Sequence, residues 1–267
     1  MNPPTSPSSR RRARRLARWA ATGAVLAAGL SGCAGNTATL GDAIPAVGGA
    51  PKTEPIITPA VGECRNLSDD GIAGSNDNTP AGDCSAPHTT LTFLVGKLGD
   101  KVMTQDDVRD ACGKTWSKAL GLSEEQARLT VFSWAYFMPT AREYALGHRD
   151  FRCDLVATNT YSGTPQALPG SKIPLIAGGK YAESYALCRT SNSRDVPCTQ
   201  PHAWKAAGSV VGPEKFPGLA AIKKLTRTRC PRLTSTKQYL TSYHDNADGW
   251  ALAGGNVIMC WNQQVKK

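Results

Sequence analysis

Hydrophobic and polar positions along the chain change period every few residues, which predicts many short elements. Thr89 to Leu98 is apolar and β-branched and reads as a strand. Thr104-Gln105-Asp106-Asp107 opens a helix, with Thr104 placed to cap it and two acids in the first turn, where the helix dipole favours them. From there to about Leu120, Val108, Ala111, Cys112, Thr115, Trp116 and Leu120 fall on one stripe at three/four spacing, so Cys112 is expected to point inward. Ser123-Glu124-Glu125-Gln126 predicts a short second helical turn, Leu129 to Phe137 a strand and Arg152 to Thr158 another. Further on, His202 to Val211 predicts a strand, Gly218 to Arg229 a helix ending at Cys230, Ser235 to Tyr243 a second helix, and Val257 to Gln263 the last strand. This mixture predicts an α+β class with small antiparallel sheets.

The cysteines show that the pattern is written twice. Cys64, Cys84-Ser85-Ala86-Pro87-His88, Cys112 and Cys153 are followed by Cys188, Cys198-Thr199-Gln200-Pro201-His202, Cys230 and Cys260. In each series the second cysteine opens Cys-x-x-Pro-His, the third lies in a helix-like stretch and the fourth in a strand-like one. Tyr144-Ala145-Leu146-Gly147 precedes Cys153, and Trp250-Ala251-Leu252-Ala253-Gly254 precedes Cys260, each read as a turn feeding a strand. A tandem repeat is the economical explanation. It predicts two small domains, residues 61–160 and 180–267. Between them lies a linker, 161–179, within the Pro/Gly/Ser-rich stretch Ser162 to Gly179.

Ahead of the repeats, Arg10, Arg11, Arg12, Arg14, Arg15 and Arg18 precede a short apolar run, Trp19 to Gly29, and then Leu30-Ser31-Gly32-Cys33. The run is short for a bilayer span, which needs about 20 residues, and it reads as a secretory signal over 1–32. Leu-Ser-Gly-Cys resembles a bacterial lipobox, which implies cleavage before Cys33 and its diacylation, and so a chain anchored by lipid to the outer face of the cytoplasmic membrane. Residues 33–60, rich in Gly, Ala, Pro and Thr, read as a flexible tether. Six of the ten excess positive charges are arginines ahead of Cys33, so the processed chain carries only +4. That balance gives no case for a nucleic-acid partner.

Exported chains meet an oxidising environment, so the eight repeated cysteines are expected to form disulfides. Eight cysteines allow 105 pairings and four allow 3, but duplication asks that pairing stay within a copy and be alike in both. Joining first to second closes a loop before the Pro-His strand, and joining third to fourth ties the core helix to the final strand. The expected bridges are Cys64–Cys84, Cys112–Cys153, Cys188–Cys198 and Cys230–Cys260. The competing chemistry for Cys-x-x-Pro-His is a zinc half-site or a Cys/His catalytic pair. Zinc would need further ligands and reduced thiolates, and His148 and His244 are the only other histidines that could converge on His88 and His202. Catalysis would need a free thiol. Pro87-His88 and Pro201-His202 are therefore expected to be rigid turns whose imidazoles bond the backbone, with no metal, cofactor or catalytic residue assigned. The chain contains no nucleophile elbow, zincin helix, phosphate loop or dinucleotide fingerprint. Trp204, beside His202 on a strand, is the aromatic best placed for a binding face.

Val61-Gly62-Glu63-Cys64, Cys84-Ser85-Ala86-Pro87-His88, the helix cysteine, and Gly147-His148-Arg149-Asp150-Phe151-Arg152-Cys153 together resemble the septum-formation domain family of actinobacterial envelope proteins. The resemblance covers the first copy; Ser184-Tyr185-Ala186-Leu187-Cys188 and Met259-Cys260 depart from it in the second. It implies a secreted, membrane- or lipid-anchored protein with a link to cell division, and brings no reaction or ligand. The expected function is a non-enzymatic envelope lipoprotein that binds a division protein or a wall polymer. The alternative is a wall-acting or metal-dependent hydrolase using His88 and His202.

Overall fold

The computed structural model describes residues 58–99, 104–158, 164–252 and 254–264. Cys33, the expected signal segment and nearly all of the expected tether lie outside the described residues. Two antiparallel sheets organise the rest. The first holds β1 (Cys64–Arg65), β2 (Thr90–Lys97), β3 (Phe132–Phe137) and β4 (Asp150–Ala157) in the order β1-β2-β4-β3. The second holds β5 (Leu187–Arg189), β6 (Asp195–Pro197), β7 (Trp204–Val211), β8 (Tyr239–Ser242) and β9 (Val257–Gln263) in the order β6-β5-β7-β9-β8. Apart from β6, a hairpin partner for β5, the second order retraces the first. Both central pairs also skip register at the same place, between Thr92 and Leu94 and between Ala206 and Gly208, just before the residue facing Cys153 or Cys260. The class is α+β, with two small disulfide-braced sheets.

One long helix packs on each sheet. In α2 (Gln105–Leu120) the Thr104 side chain accepts from the Asp107 amide while Asp107 accepts from the Thr104 amide, so two otherwise unpaired donors are satisfied. Gly121 ends the helix with φ of 81°, a left-handed cap that glycine adopts without strain, and a Cβ there would lie 2.7 Å from the Ile176 carbonyl oxygen. In the second half, α5 (Leu219–Leu233) runs past its expected end at Cys230. Pro231 removes one amide donor, but in the last turn this costs little, and the Thr234 amide closes the end on the Cys230 carbonyl. Short helices α1 (Asp69–Ala73), α3 (Glu124–Ala127), α4 (Ala141–Ala145) and α6 (Ala247–Ala251) complete the set. The aromatic-Ala-Leu stretches read as turns are thus the ends of α4 and α6.

The helix expected over Ser235 to Tyr243 is a correction. Tyr239–Ser242 is instead the edge strand β8, paired along β9 from Tyr239 opposite Asn262 to Ser242 opposite Met259. Thr, Tyr and Leu suit a half-buried pleat, and β9 offers an open row of backbone groups. Asn262 also captures the approach, its Oδ1 accepting from the Ser235 amide at 2.8 Å.

The first core is the larger. β4 is buried on both faces: Phe151, Cys153 and Leu155 face α2, while Val156 packs with Leu67, Ala135 and Phe137 on the other side. Stability here comes from apolar area removed from water, about 25 cal/mol per Å². The described part of the expected linker does not run free. Leu168, Leu175 and Ile176 are buried in the first core, and the Leu175 and Ile176 amides donate to the carbonyls of Ala119 and Leu120. This strap continues into Tyr181, Tyr185 and Leu187, which also pack on that core. The second core is smaller, built on Ile222, Cys230, Trp250, Ile258 and Cys260.

Candidate functional site

Four disulfides join Cys64 to Cys84, Cys112 to Cys153, Cys188 to Cys198 and Cys230 to Cys260, the expected pairing. The second and fourth link each long helix to the central strand beneath it, and Cys112, Cys153, Cys230 and Cys260 are fully buried. The thiols are thus committed as sulfur bridges.

Each Pro-His pair makes the same local turn. His88 Nδ1 lies 2.9 Å from the Ala86 carbonyl oxygen and His202 Nδ1 lies 2.7 Å from that of Gln200, two residues back in each case. His88 is 6% exposed and its Nε2 lies 3.1 Å from the Gly170 carbonyl oxygen, so the ring pins the strap to the first sheet. His202 is half-buried and has no second ring-nitrogen partner among the described residues. Pro87 and Pro201 are exposed at the turns. His244 is exposed, and His148 lies beside Glu143 in a different concavity. Among the described residues no group of three or more His, Cys, Asp or Glu is arranged to hold a metal.

A cleft of about 860 Å³ lies between the two sheets. Its first wall combines Trp116 of α2 with Phe132 and Trp134 of β3; its second is the face of the other sheet that carries Met259 and Val257. Gly113 of α2 lies beneath the Trp134 indole, where a Cβ would stand in ordinary contact at 3.5 Å. Opposite, the Arg189 guanidinium lies 4.2 Å above the ring of buried Trp261, and its Nε donates to Asp195 Oδ1 at 2.6 Å. Trp261 in turn donates its indole N–H to Ser242 Oγ at 3.0 Å. On the first wall Arg128 pairs with Glu124 one helical turn away. Aromatic planes beside fixed cation–anion pairs form a surface that suits a ligand with both apolar and charged groups. Sequence reasoning missed this site. It placed Trp116 on the inward stripe of α2; Trp116 and Trp134 do pack against the first core, but both are half-buried and also line the cleft. It favoured Trp204, which is half-buried within β7, opposite Arg189 and Gln263. Arg128 and Arg189 are each held by partners of their own half, and only the approach of the two sheets puts both on one cleft.

A second concavity, of about 520 Å³, opens over α4. Below it runs a closed ionic chain. Arg65 reaches Glu63 at 2.6 Å and Thr92 Oγ1 at 3.0 Å, Thr92 donates to Asp154 Oδ1 at 2.8 Å, and Asp154 accepts from Arg152 at 3.1 Å. Arg152 also holds Asp77 and covers the ring of Phe137. Each guanidinium is fully engaged, as buried charge requires. On the rim, partial burial works to raise the pKa of Glu143. Hydrogen bonds from the Thr140 backbone and side chain and from Asn78, with the nearby charge of His148, outweigh it and hold the carboxyl below its usual range.

The molecule so far is a disulfide-braced α+β protein with two like-ordered sheets and a mixed aromatic and ionic cleft between them. A family model described as septum formation matches residues 104–253. The chain belongs to the septum-formation family. The match runs from the cap of α2 to just past α6, through both sheets, rather than over the first half alone; the Val61–Cys64 opening and the first Pro-His motif lie ahead of it. No curated protein and no solved structure matches the chain.

Proposed function

We propose that this protein is a non-enzymatic envelope lipoprotein, anchored through Cys33, that binds a partner in its central cleft during septum formation. The observation that carries this reading is the cleft itself. Its charges are held in place by Trp261 and the Glu124 and Asp195 carboxylates beside the aromatic walls, a preorganised binding surface. The family supports the link to septum formation. The partner is a division protein or a wall polymer on the outer face of the membrane.

Imaging a tagged chain through the division cycle tests the proposal. Wild-type signal is expected to gather at the septum, and Trp134→Ala with Arg128→Glu, checked for intact bridges and fold, should disperse it. A wild-type signal that stays uniform through division would sink the reading.

A further inference from the structure

Helix α5 carries Lys223, Lys224, Arg227, Arg229 and Arg232 and no acidic residue. All five are exposed, and none forms an ion pair with another described residue. The corresponding α2 is balanced: Asp106, Asp107 and Asp110 alternate with Arg109, Lys114 and Lys118. The segregation extends to the halves. Residues 33–179 hold 12 Lys and Arg against 16 Asp and Glu, while residues 180–267 hold 13 against 5. The second half is therefore strongly cationic, and α5 concentrates that charge on one side.

Beside α5 lies a groove of about 370 Å³ floored by Val210, Leu225 and Leu233, with Arg229 and Arg232 on its rim. Leu219 at the helix start is 44% exposed. The helix packs through Ile222 and Cys230 on the sheet face that carries Ile258 and Cys260, whereas the cleft takes the opposite face through Val257 and Met259.

We propose that α5 and this groove dock the protein onto an anionic phospholipid bilayer. The helix, about 22 Å long at 1.5 Å per residue, can lie along the headgroups. Each Lys or Arg near an anionic leaflet strengthens binding roughly fivefold. Arginine forks suit lipid phosphates, while exposed Leu219 enters the headgroup and acyl boundary. A soluble phosphodiester polymer would match the charge but leaves the apolar floor uncovered. Docked this way, the second sheet stands between bilayer and cleft, and the cleft opens away from the membrane. The surface is independent of acylation at Cys33 and of what fills the cleft.

The test is flotation of the full chain carrying Cys33→Ser with vesicles of phosphatidylcholine, with or without phosphatidylglycerol; the N-terminal segment is common to all arms and cancels from ratios between variants. The expected result is binding to the anionic vesicles that weakens as salt rises. Arg229→Gln with Arg232→Gln should lower the partition coefficient by about tenfold or more. Lys97→Gln with Lys118→Gln, the same loss of charge on exposed positions elsewhere, should leave it unchanged. Leu219→Ser, neutral in charge, should lower it as well. Circular dichroism confirms that these surface variants are folded. Equal binding to neutral vesicles, or an equal loss in the Lys97/Lys118 control, overturns the proposal. Leu219→Ser binding unchanged, together with capture on immobilised polyphosphate as tight as on vesicles, would overturn it in favour of a soluble polymer.

Discussion

The ring of Tyr185 lies flat on that of Phe132, with centroids 4.8 Å apart and planes 12° from parallel. Phe132 begins β3 in the first sheet, and Tyr185 precedes β5 in the second. Backbone bonds flank the stack, the Val131 amide donating to the Tyr185 carbonyl and the Leu187 amide to that of Leu129, both at 2.9 Å. The start of the second half is therefore laid onto the first sheet. This accounts for the departure of Ser184-Tyr185-Ala186-Leu187 from the opening of the first half: those side chains are chosen to cover a core.

Removing this ring should loosen both halves together. Tyr185→Ala is expected to cost about 2–3 kcal/mol, less than a fully buried aromatic, and to split a single calorimetric transition into two. Tyr185→Phe, which loses only the hydroxyl donated to the Ala167 carbonyl at 2.8 Å, should cost about 1 kcal/mol. Equal effects of the two variants would show that the stack contributes nothing.

The bridges should differ in worth by the loops they close. Cys112–Cys153 spans 41 residues and Cys188–Cys198 spans 10. Chain entropy then predicts about 4 and about 3 kcal/mol. Denaturant unfolding of the paired Cys→Ala variants measures the difference, and the shorter loop should be the milder loss.

The two Pro-His imidazoles are expected to be unequal. His88→Ala removes contacts to two carbonyls from a buried ring and should cost about 2–3 kcal/mol, while His202→Ala removes one and should cost about 1 kcal/mol. Added zinc should leave the melting temperature of the wild type where it is. A zinc-dependent rise that either variant abolishes would favour the metal-dependent hydrolase.

Glu143 sets a pH dependence. Its carboxyl titrates below the usual range in the folded chain, so the stabilisation it brings is complete above the unfolded value, near 4.3. It is lost as pH falls through the lower folded value. The difference in melting temperature between wild type and Glu143→Gln should therefore be largest near neutral pH and close on acidification below about pH 4. A difference that widens instead contradicts the assignment.

Lipidation at Cys33 is expected because Cys33 alone stands outside the four bridges and ends the Leu-Ser-Gly-Cys string. Cys33→Ala should leave unprocessed precursor or release the chain to the medium. Labelling with a fatty-acid analogue should mark the wild type and spare the variant.

What the sequence determined by itself was local or serial. Thr104 with Asp107 marked the start of α2 because a cap is decided within one helical turn. The run Val257 to Gln263 was already β9. The twofold order of cysteines carried the four bridges, since duplication reduced the pairing to a choice among three. The tertiary structure decided whatever depended on a distant partner. Tyr239–Ser242 became a strand because β9 offered it an edge, and no window of its own residues contains that edge. The stretch around Leu168, Leu175 and Ile176 looked like a linker because Pro, Gly and Ser dominate it, yet three apolar side chains sufficed to bury it under the first helix. The cleft lay furthest from view. Trp134 and Arg189 are far apart in sequence, and both lined it only once the strap had brought the second sheet up to the first. Burial follows from neighbours in space, and a sequence records only neighbours along the chain.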